Sequence, residues 1–219
     1  MNDKYLEDNN FAKIEPFEKY TKQYDLWFDK NNTIYKSEIL AIKQLLPIKG
    51  NGVEIGIGSG RFALPFKIKE GIEPSDKMRK LAKKRGINVI KGVAENLSYF
   101  DNSFDFVLMV TTICFLDNIQ KAFNEVHRVL KKHGFFIIGL IDKDSLIGKI
   151  YQKNKADSPF YNIATFYSVK EVVHYLDITG FKDYSFRQTI FNPLEEIKNI
   201  EPVEKGYGKG SFVVIKANK

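Results

Sequence analysis

The stretch Gly50-Asn51-Gly52-Val53-Glu54-Ile55-Gly56-Ile57-Gly58-Ser59-Gly60 holds five of the chain's fifteen glycines. Its apolar run Val53 to Ile57 reads as a strand. Glycine at alternate positions just past a strand lets the backbone turn sharply and approach a ligand with no Cβ in the way. The loop is expected to open onto a helix N-terminus near Arg61 to Phe66, shortened to about two turns by the brief linker and by Pro65. Taken alone, such a loop is equally a tight turn. Glu73 tips the balance: in Gly71-Ile72-Glu73-Pro74-Ser75 it ends the next apolar run, 19 positions after Glu54. An acid about 20 residues on, at the carboxyl end of a second strand, is where a ribose hydroxyl pair finds its acceptors.

Outward from this pair the chain alternates. Short apolar runs at Ile87 to Ile90, Phe104 to Val110 and Phe135 to Ile141 read as strands. Met78, Leu81 and Ala82, and then Ile119, Ala122, Phe123, Val126, Val129 and Leu130, keep helical spacing. Asp117 with Gln120 is a capping-box pattern for the second of these helices, and Ser168 with Glu171 for a later one ending at Gly180. Strand and helix in alternation imply a parallel sheet with right-handed crossovers, covered on both faces. Two β-rich runs near Phe181 to Phe191 and Ser211 to Lys216 have no crossover helix between them, so they are expected as an antiparallel pair. The fold class is therefore α/β, a Rossmann-like, doubly wound, mostly parallel sheet in an α/β/α sandwich. Residues 11 to 46 read as one helical region stopped by Pro47 and Gly50. The expected organisation is a helical cap segment over 1–46 and a cofactor-binding domain over 47–219, a single domain overall.

Composition narrows the class. The chain has 219 residues, 43% hydrophobic and 28% charged, one Cys and a formal net charge of +7. A domain of this size buries on the order of 70% of its unfolded surface. Cys114 has no disulfide partner, no metal-ligand spacing occurs, and neither a signal segment nor a run of about 20 apolar residues is found. A cytoplasmic protein without metal is the expectation. The basic excess sits in one stretch: Lys77, Arg79, Lys80, Lys83, Lys84, Arg85 and Lys91 occur with no Asp or Glu among them. That reads as a solvated helix face on the sheet's flank, which argues against nucleic acid and membrane as partners.

The third glycine of a dinucleotide fingerprint is displaced here, and the spacing is G-x-G-x-G after the acid Glu54. This resembles motif I of the class I S-adenosylmethionine-dependent methyltransferases, small-molecule type. Gly92-Val93-Ala94-Glu95-Asn96-Leu97 with Ser103-Phe104-Asp105 is similar to that family's adenine loop and fourth strand, and Arg128 to Gly134 to its turn into the fifth. The resemblance implies S-adenosylmethionine as cofactor, S-adenosylhomocysteine as product, and a cofactor site of Glu54, Gly56, Gly58, Gly60, Glu73, Pro74, Ala94, Glu95 and Thr111. The family often has Asp where Val93 stands, and a His pair where Cys114-Phe115 stands.

Methyl transfer needs alignment more than acid–base groups, so no catalytic residue is assigned. His127, His133 and His174 read as structural or solvated, and Cys114 as a small lining residue. Substrate contacts are expected from Tyr24, Trp27 and Tyr35 of the N-terminal region, from Thr112 after the fourth strand, and from Tyr151 and Tyr161 in a lid spanning Ser145 to Phe166. Phe17 and Phe28 are expected only to dock the helix. The expected activity is methylation of a small-molecule acceptor. RNA or protein methylation, an NAD(P)-dependent oxidoreductase and a non-catalytic cofactor-binding module are the alternatives; acceptor atom and oligomeric state are left open.

Overall fold

A computed structural model of the chain describes residues 13–219, so the first twelve residues of the expected cap lie outside it. The N-terminal region forms three helices instead of one: α1 (Glu15–Lys19), α2 (Thr21–Lys30) and α3 (Asn32–Lys43). Tyr20 and Asn31 leave helical geometry at the two joints. At the second joint Trp27 O accepts both from the Asn31 backbone N–H at 2.8 Å and from its side-chain amide at 2.9 Å, a local cap at the end of α2.

Five parallel strands follow: β1 (Gly52–Ile55), β2 (Glu70–Ile72), β3 (Asn88–Ile90), β4 (Phe104–Val110) and β5 (Leu130–Ile141). Helices α4 (Asp76–Lys84) and α5 (Ile119–Val129) make two of the crossovers; α6 (Leu146–Lys153) and α7 (Val169–Thr179) follow β5. The last strands are β6 (Lys182–Thr189), β7 (Glu204–Lys205) and β8 (Phe212–Asn218), and the sheet order is β3-β2-β1-β4-β5-β8-β6-β7. β8 runs antiparallel to both β5 and β6, the expected C-terminal reversal. The two-residue β7 at the edge has no apolar pattern to announce it.

Pleat alternation divides the core. Val107, Met109, Phe136 and Ile138 face α5 and α7, while Phe106, Leu108, Val110 and Ile137 face α3 and the β1–β2 connection. Ala41, Ile42 and Leu45 of α3 belong to that second layer, so the sheet is sandwiched by helices on both faces.

Three local expectations are corrected. Between β1 and β2 there is no helix, only turns ending in a 3₁₀ segment at Leu64–Phe66; Pro65 and the short span leave no room for more. α5 is capped by Asn118, whose side chain accepts from Lys121 N at 2.9 Å; Asp117 lies one residue outside, and Gln120 instead reaches Thr179 Oγ1 at 2.7 Å. The basic stretch is also not uniformly solvated. Arg85 donates to Ser59 O and Asp25, Arg79 to the carbonyls of Glu73 and Pro74, and Lys77 to Glu18 O, which leaves Lys80, Lys83, Lys84 and Lys91 as the free solvent face. By contrast, the Ser168–Glu171 capping box forms with both of its halves.

Candidate functional site

The glycine loop leaves β1 and folds back on β2. Gly56 N and Ile57 N both donate to Ile72 O, at 2.9 and 3.1 Å, which forces φ to +67° at Gly56. A Cβ there would stand 2.3 Å from Thr112 Cγ2. Thr112 Oγ1 meanwhile donates to Gly56 O at 3.2 Å, tying the loop to the end of β4. At Gly58 (φ +55°) a Cβ would come into van der Waals contact with the Tyr24 ring, 3.6 Å from its Oη, and the left-handed φ itself favours glycine.

Glu73, immediately past β2, is buried at 6% exposure. Its two oxygens accept from Gly58 N and from Ser75 N, each at 2.9 Å. Burial pushes its carboxyl up to about 7, against the pull of those two amides. Glu54, in β1, is buried at 1% and is pushed well above the carboxylate range by burial and by the charge of Glu73. Its Oε2 has no hydrogen-bond partner.

The N-terminal helices are fastened over this loop by polar clamps. Asp25 accepts from Ser59 Oγ (2.6 Å), Arg61 Nε (3.0 Å) and Arg85 (2.8 Å). Burial works to raise Asp25, but the three donors win and hold it well below the usual range. Arg61 also bonds Asp29. From α1, Glu18 Oε1 accepts from Ser75 Oγ at 2.6 Å and Lys77 N at 3.0 Å. Both clamps bind sequence-distant segments at the rim.

At the other side, Thr111 leaves β4 with φ +49°, a conformation that a β-branched residue adopts only under constraint. Cys114 Sγ lies 3.4 Å from Thr111 O, and burial pushes the thiol up to about 12, so it is no thiolate nucleophile. Glu95 Oε1 accepts from Asp117 N (2.9 Å) and Asn118 N (3.2 Å), holding the approach to α5.

These parts enclose a cavity of about 310 Å³. Of the expected site residues, Gly56, Gly58, Glu73, Pro74, Ala94, Glu95, Thr111, Thr112, Tyr24, Trp27, Tyr151 and Tyr161 line it. Glu54, Gly60 and Tyr35 do not. Gly60 is required by packing, since a Cβ would meet Ile87 Cδ1 at 2.6 Å. Tyr35 instead donates its hydroxyl to Arg61 O and packs on Phe28 and Phe62. Phe17 and Phe28 reach the cavity, beyond the docking role expected of them. Phe115, Phe160 and Glu38 also line it. The first two continue an aromatic pattern visible in the sequence; Glu38 had no signal, because one acid on an amphipathic helix looks solvated. Among the described residues no group of three or more His, Cys, Asp or Glu is arranged to hold a metal, and no helix is long and apolar enough to cross a membrane.

Comparison with known proteins agrees with this geometry. The methyltransferase-domain family matches residues 53–138, from β1 into β5. The crystal structure of an S-adenosylmethionine-dependent methyltransferase from Thermotoga maritima, described as a possible histamine N-methyltransferase, is 48% identical. It superposes with a TM-score of 0.92 over 94% of this chain and 99% of that one. An uncharacterized protein of Methanocaldococcus jannaschii is 49% identical over 93% of this chain and 98% of its own. The ubiquinone/menaquinone biosynthesis C-methyltransferase of Rickettsia typhi is 29% identical over 61% of this chain and 59% of its own.

Proposed function

Because the chain belongs to the class I S-adenosylmethionine-dependent methyltransferases, we propose that it transfers the methyl group to a small-molecule acceptor held in the aromatic end of the 310 Å³ cavity. The enclosure carries this reading. One cavity runs from the Gly58–Glu73 pair to rings contributed by α1, α2 and the 158–161 segment, and its volume lies at the low end of the roughly 300–1,000 Å³ usual for small-molecule sites.

The residues present fit the cofactor. Gly58 offers a bare backbone face, and Glu73 keeps lone pairs beyond its two amide bonds for a ribose hydroxyl pair. The unpartnered Glu54 Oε2 leaves a polar atom free behind the loop. When bound, S-adenosylmethionine supplies an electrophilic methyl carbon on a cationic sulfur. Gly56, Gly58 and Thr111 would border its amino-acid end, Glu73 and Pro74 its ribose, and Ala94 and Glu95 its base. Thr112 would act by holding Gly56 in place.

The protein's own contribution is to orient two reactants and exclude water, which is worth about 7–11 kcal/mol when fully achieved. The two covers over the cavity differ in how they are held. α1 and α2 carry the Glu18 and Asp25 clamps, whereas the backbone N–H groups of residues 154–164 bond only to positions no more than four apart, Tyr161 adding a side-chain hydrogen bond to Tyr151 of α6. Phe160 meets Phe17 and Tyr24 only by ring contacts, at 5.8 and 5.9 Å. The 158–161 segment is therefore the cover that opens, and α1–α2 the fixed wall.

Titration calorimetry with S-adenosylmethionine and, in parallel, NADH on the wild type and Glu73→Ala tests the cofactor. Binding of the first alone, lost in the variant, is expected; indifference to Glu73 defeats the assignment of the ribose site. S-adenosylhomocysteine release with small amines, acids and phenols, set against tRNA and a protein mixture, tests the acceptor. Turnover only on the polymers overturns it.

A further inference from the structure

The cavity holds one carboxyl that neither the glycine loop nor the expected cofactor contacts explain. Glu38, on α3, is 5% exposed and lines the cavity, yet it makes no hydrogen bond and no ion pair among the described residues. A buried carboxylate normally has donors, because leaving it unpaired is costly. Glu73 has two amides, Asp25 has two guanidinium groups, and Glu95 has two amides. Glu38 lines the cavity, and its charge acts on four phenols: Tyr24 of α2, Tyr35 of its own helix, Tyr151 of α6 and Tyr161 of the covering segment. Burial raises each of these phenols, so all four are neutral at physiological pH. The cations in the neighbourhood are committed elsewhere: Arg61 and Arg85, which act on Tyr35, are paired with Asp25, and Lys13, at the cavity wall, bonds Leu116 O and pairs with Asp117. Burial alone pushes Glu38 up to about 8.

The surroundings specify what would satisfy it. Phe17, Tyr24, Phe115 and Phe160 meet edge to face or tilted, with centroids 4.9–5.9 Å apart, and Tyr151 stacks on Tyr161 at 4.7 Å. Aromatic faces attract a cation, and more strongly when water is excluded. An unpaired carboxyl beside such a cage matches a ligand that carries positive charge and protons to donate. A carboxylate would bring further negative charge to an acidic, aromatic pocket and would oppose ionisation of Glu38, and a neutral alcohol carries no charge to draw the Glu38 proton off or to sit on the aromatic faces.

We propose that Glu38 selects a small amine as the methyl acceptor and serves as its proton acceptor. This rests on the methyltransferase reading above and names the substrate class of that same site. The amine enters as its ammonium form and pairs with the Glu38 carboxylate. One N–H bond breaks, its proton passing to a carboxylate oxygen while its electron pair remains on nitrogen. That lone pair then forms the new N–C bond as the bond from the methyl carbon to sulfur breaks, with those electrons leaving on the sulfur as a neutral thioether. The product departs as a methylated ammonium, and Glu38 returns its proton to water.

The test uses the full chain loaded with S-adenosylhomocysteine. Benzylamine, 2-phenylethylamine and cyclohexylamine are titrated by calorimetry against their matched alcohols and carboxylic acids, on wild type, Glu38→Gln and Glu38→Ala. Wild type is expected to bind at least one amine ten-fold or more tighter than its alcohol, and the acids not measurably. Both variants should bind S-adenosylhomocysteine within three-fold of wild type, which also verifies folding, while amine affinity falls to that of the alcohol. Because free Glu38 is largely protonated at pH 7, amine binding should release a proton, seen as a dependence of the measured heat on buffer ionisation enthalpy. Glu38→Gln should abolish that release. Amine binding that is unchanged in the variants, absent from wild type, or no tighter than alcohol binding overturns the role of Glu38 while leaving the cofactor assignment standing. Failure of S-adenosylhomocysteine to bind wild type would overturn the cofactor assignment and this proposal with it.

Discussion

The clamp at Asp25 yields a quantitative prediction for Asp25→Asn. The aspartate side chain is 18% exposed and accepts from Ser59, Arg61 and Arg85, whose guanidinium-bearing side chains are themselves 18% and 21% exposed. Removing one member of a fully buried pair costs about 3–5 kcal/mol, and partial solvent access discounts this to about 2–3 kcal/mol. Arg61 keeps Asp29 and Arg85 keeps Ser59 O, which is why the lower figure applies. At roughly 2–4 °C per kcal/mol for a chain of this size, the melting temperature should fall by roughly 5–10 °C. The pH dependence fixes the cause. The folded Asp25 is held below its ordinary value of 3.8, so its contribution is present above pH 3.8 and is lost as pH falls through the lower folded value. Denaturant melts at pH 7 and pH 3 should therefore show a gap between wild type and variant that narrows in acid. Because Asp25 holds Ser59 in the glycine loop, S-adenosylmethionine affinity at pH 7 should fall as well. A variant melting within about 1 °C of wild type would show that the clamp contributes nothing. A gap independent of pH would show that its charge is not what matters.

Three further outcomes follow. Glu73 is pushed up to about 7, so the ionised form that best accepts two hydroxyls is lost as pH falls below that value; calorimetric affinity for S-adenosylmethionine should drop between pH 8 and 6, and Glu73→Gln should show weak binding with no such slope. Glu38, pushed up to about 8, favours the folded state fully below its ordinary 4.5 and loses that contribution as pH rises through 8. Glu38→Gln should thus lie within about 1 kcal/mol of wild type in thermal melts at pH 5 and gain up to about 4 kcal/mol on it by pH 8.5. Finally, Lys80→Glu combined with Lys83→Glu and Lys84→Glu changes only exposed positions. Turnover on a small acceptor should stay within about two-fold, with and without added salt, whereas a large loss would mark that face as a substrate surface.

The features legible in the sequence are those imposed by short-range physics. The Gly56–Gly58 turn, the acid at the end of the second strand, the Ser168 capping box and the Phe104–Val110 strand each need particular residue types in one short window. What sequence reading missed depends on distant partners. Arg85 sits in a basic helical stretch that looks solvated until Asp25, sixty positions away, turns it inward. Asn31 ends a helix where its side-chain amide joins its own backbone N–H on the Trp27 carbonyl, a local cap that helical spacing does not reveal. Tyr35 looks like a substrate residue until its hydroxyl meets the Arg61 carbonyl. Glu38 is the clearest case: helical spacing alone places it on a mixed face, and only the convergence of α2, α6 and the 158–161 turn buries it beside the cavity.

The net charge of +7 and the interior of the site have opposite characters, and the opposition has a physical use. The free lysines of α4 point away from the cavity, while Glu38, Glu54 and Glu73 are all buried around Tyr24, whose phenol is raised by the charge of each. Burying three carboxyls with three backbone amides, from Gly58, Ser75 and Ala63, and with only Arg79 acting on Glu73 as a cation, is costly for stability. The Glu18 and Asp25 clamps, placed where guanidinium and hydroxyl donors are free to pair, help offset that cost at the rim. On the cofactor site proposed above, such an arrangement suits a sulfonium in the field of the ionised form of Glu73 and, on the reading of Glu38, an ammonium in the aromatic cage. The same carboxyls hold the neutral thioether left after transfer less strongly than the sulfonium that arrived, so the field that gathers the reactants also favours their exchange for the next pair.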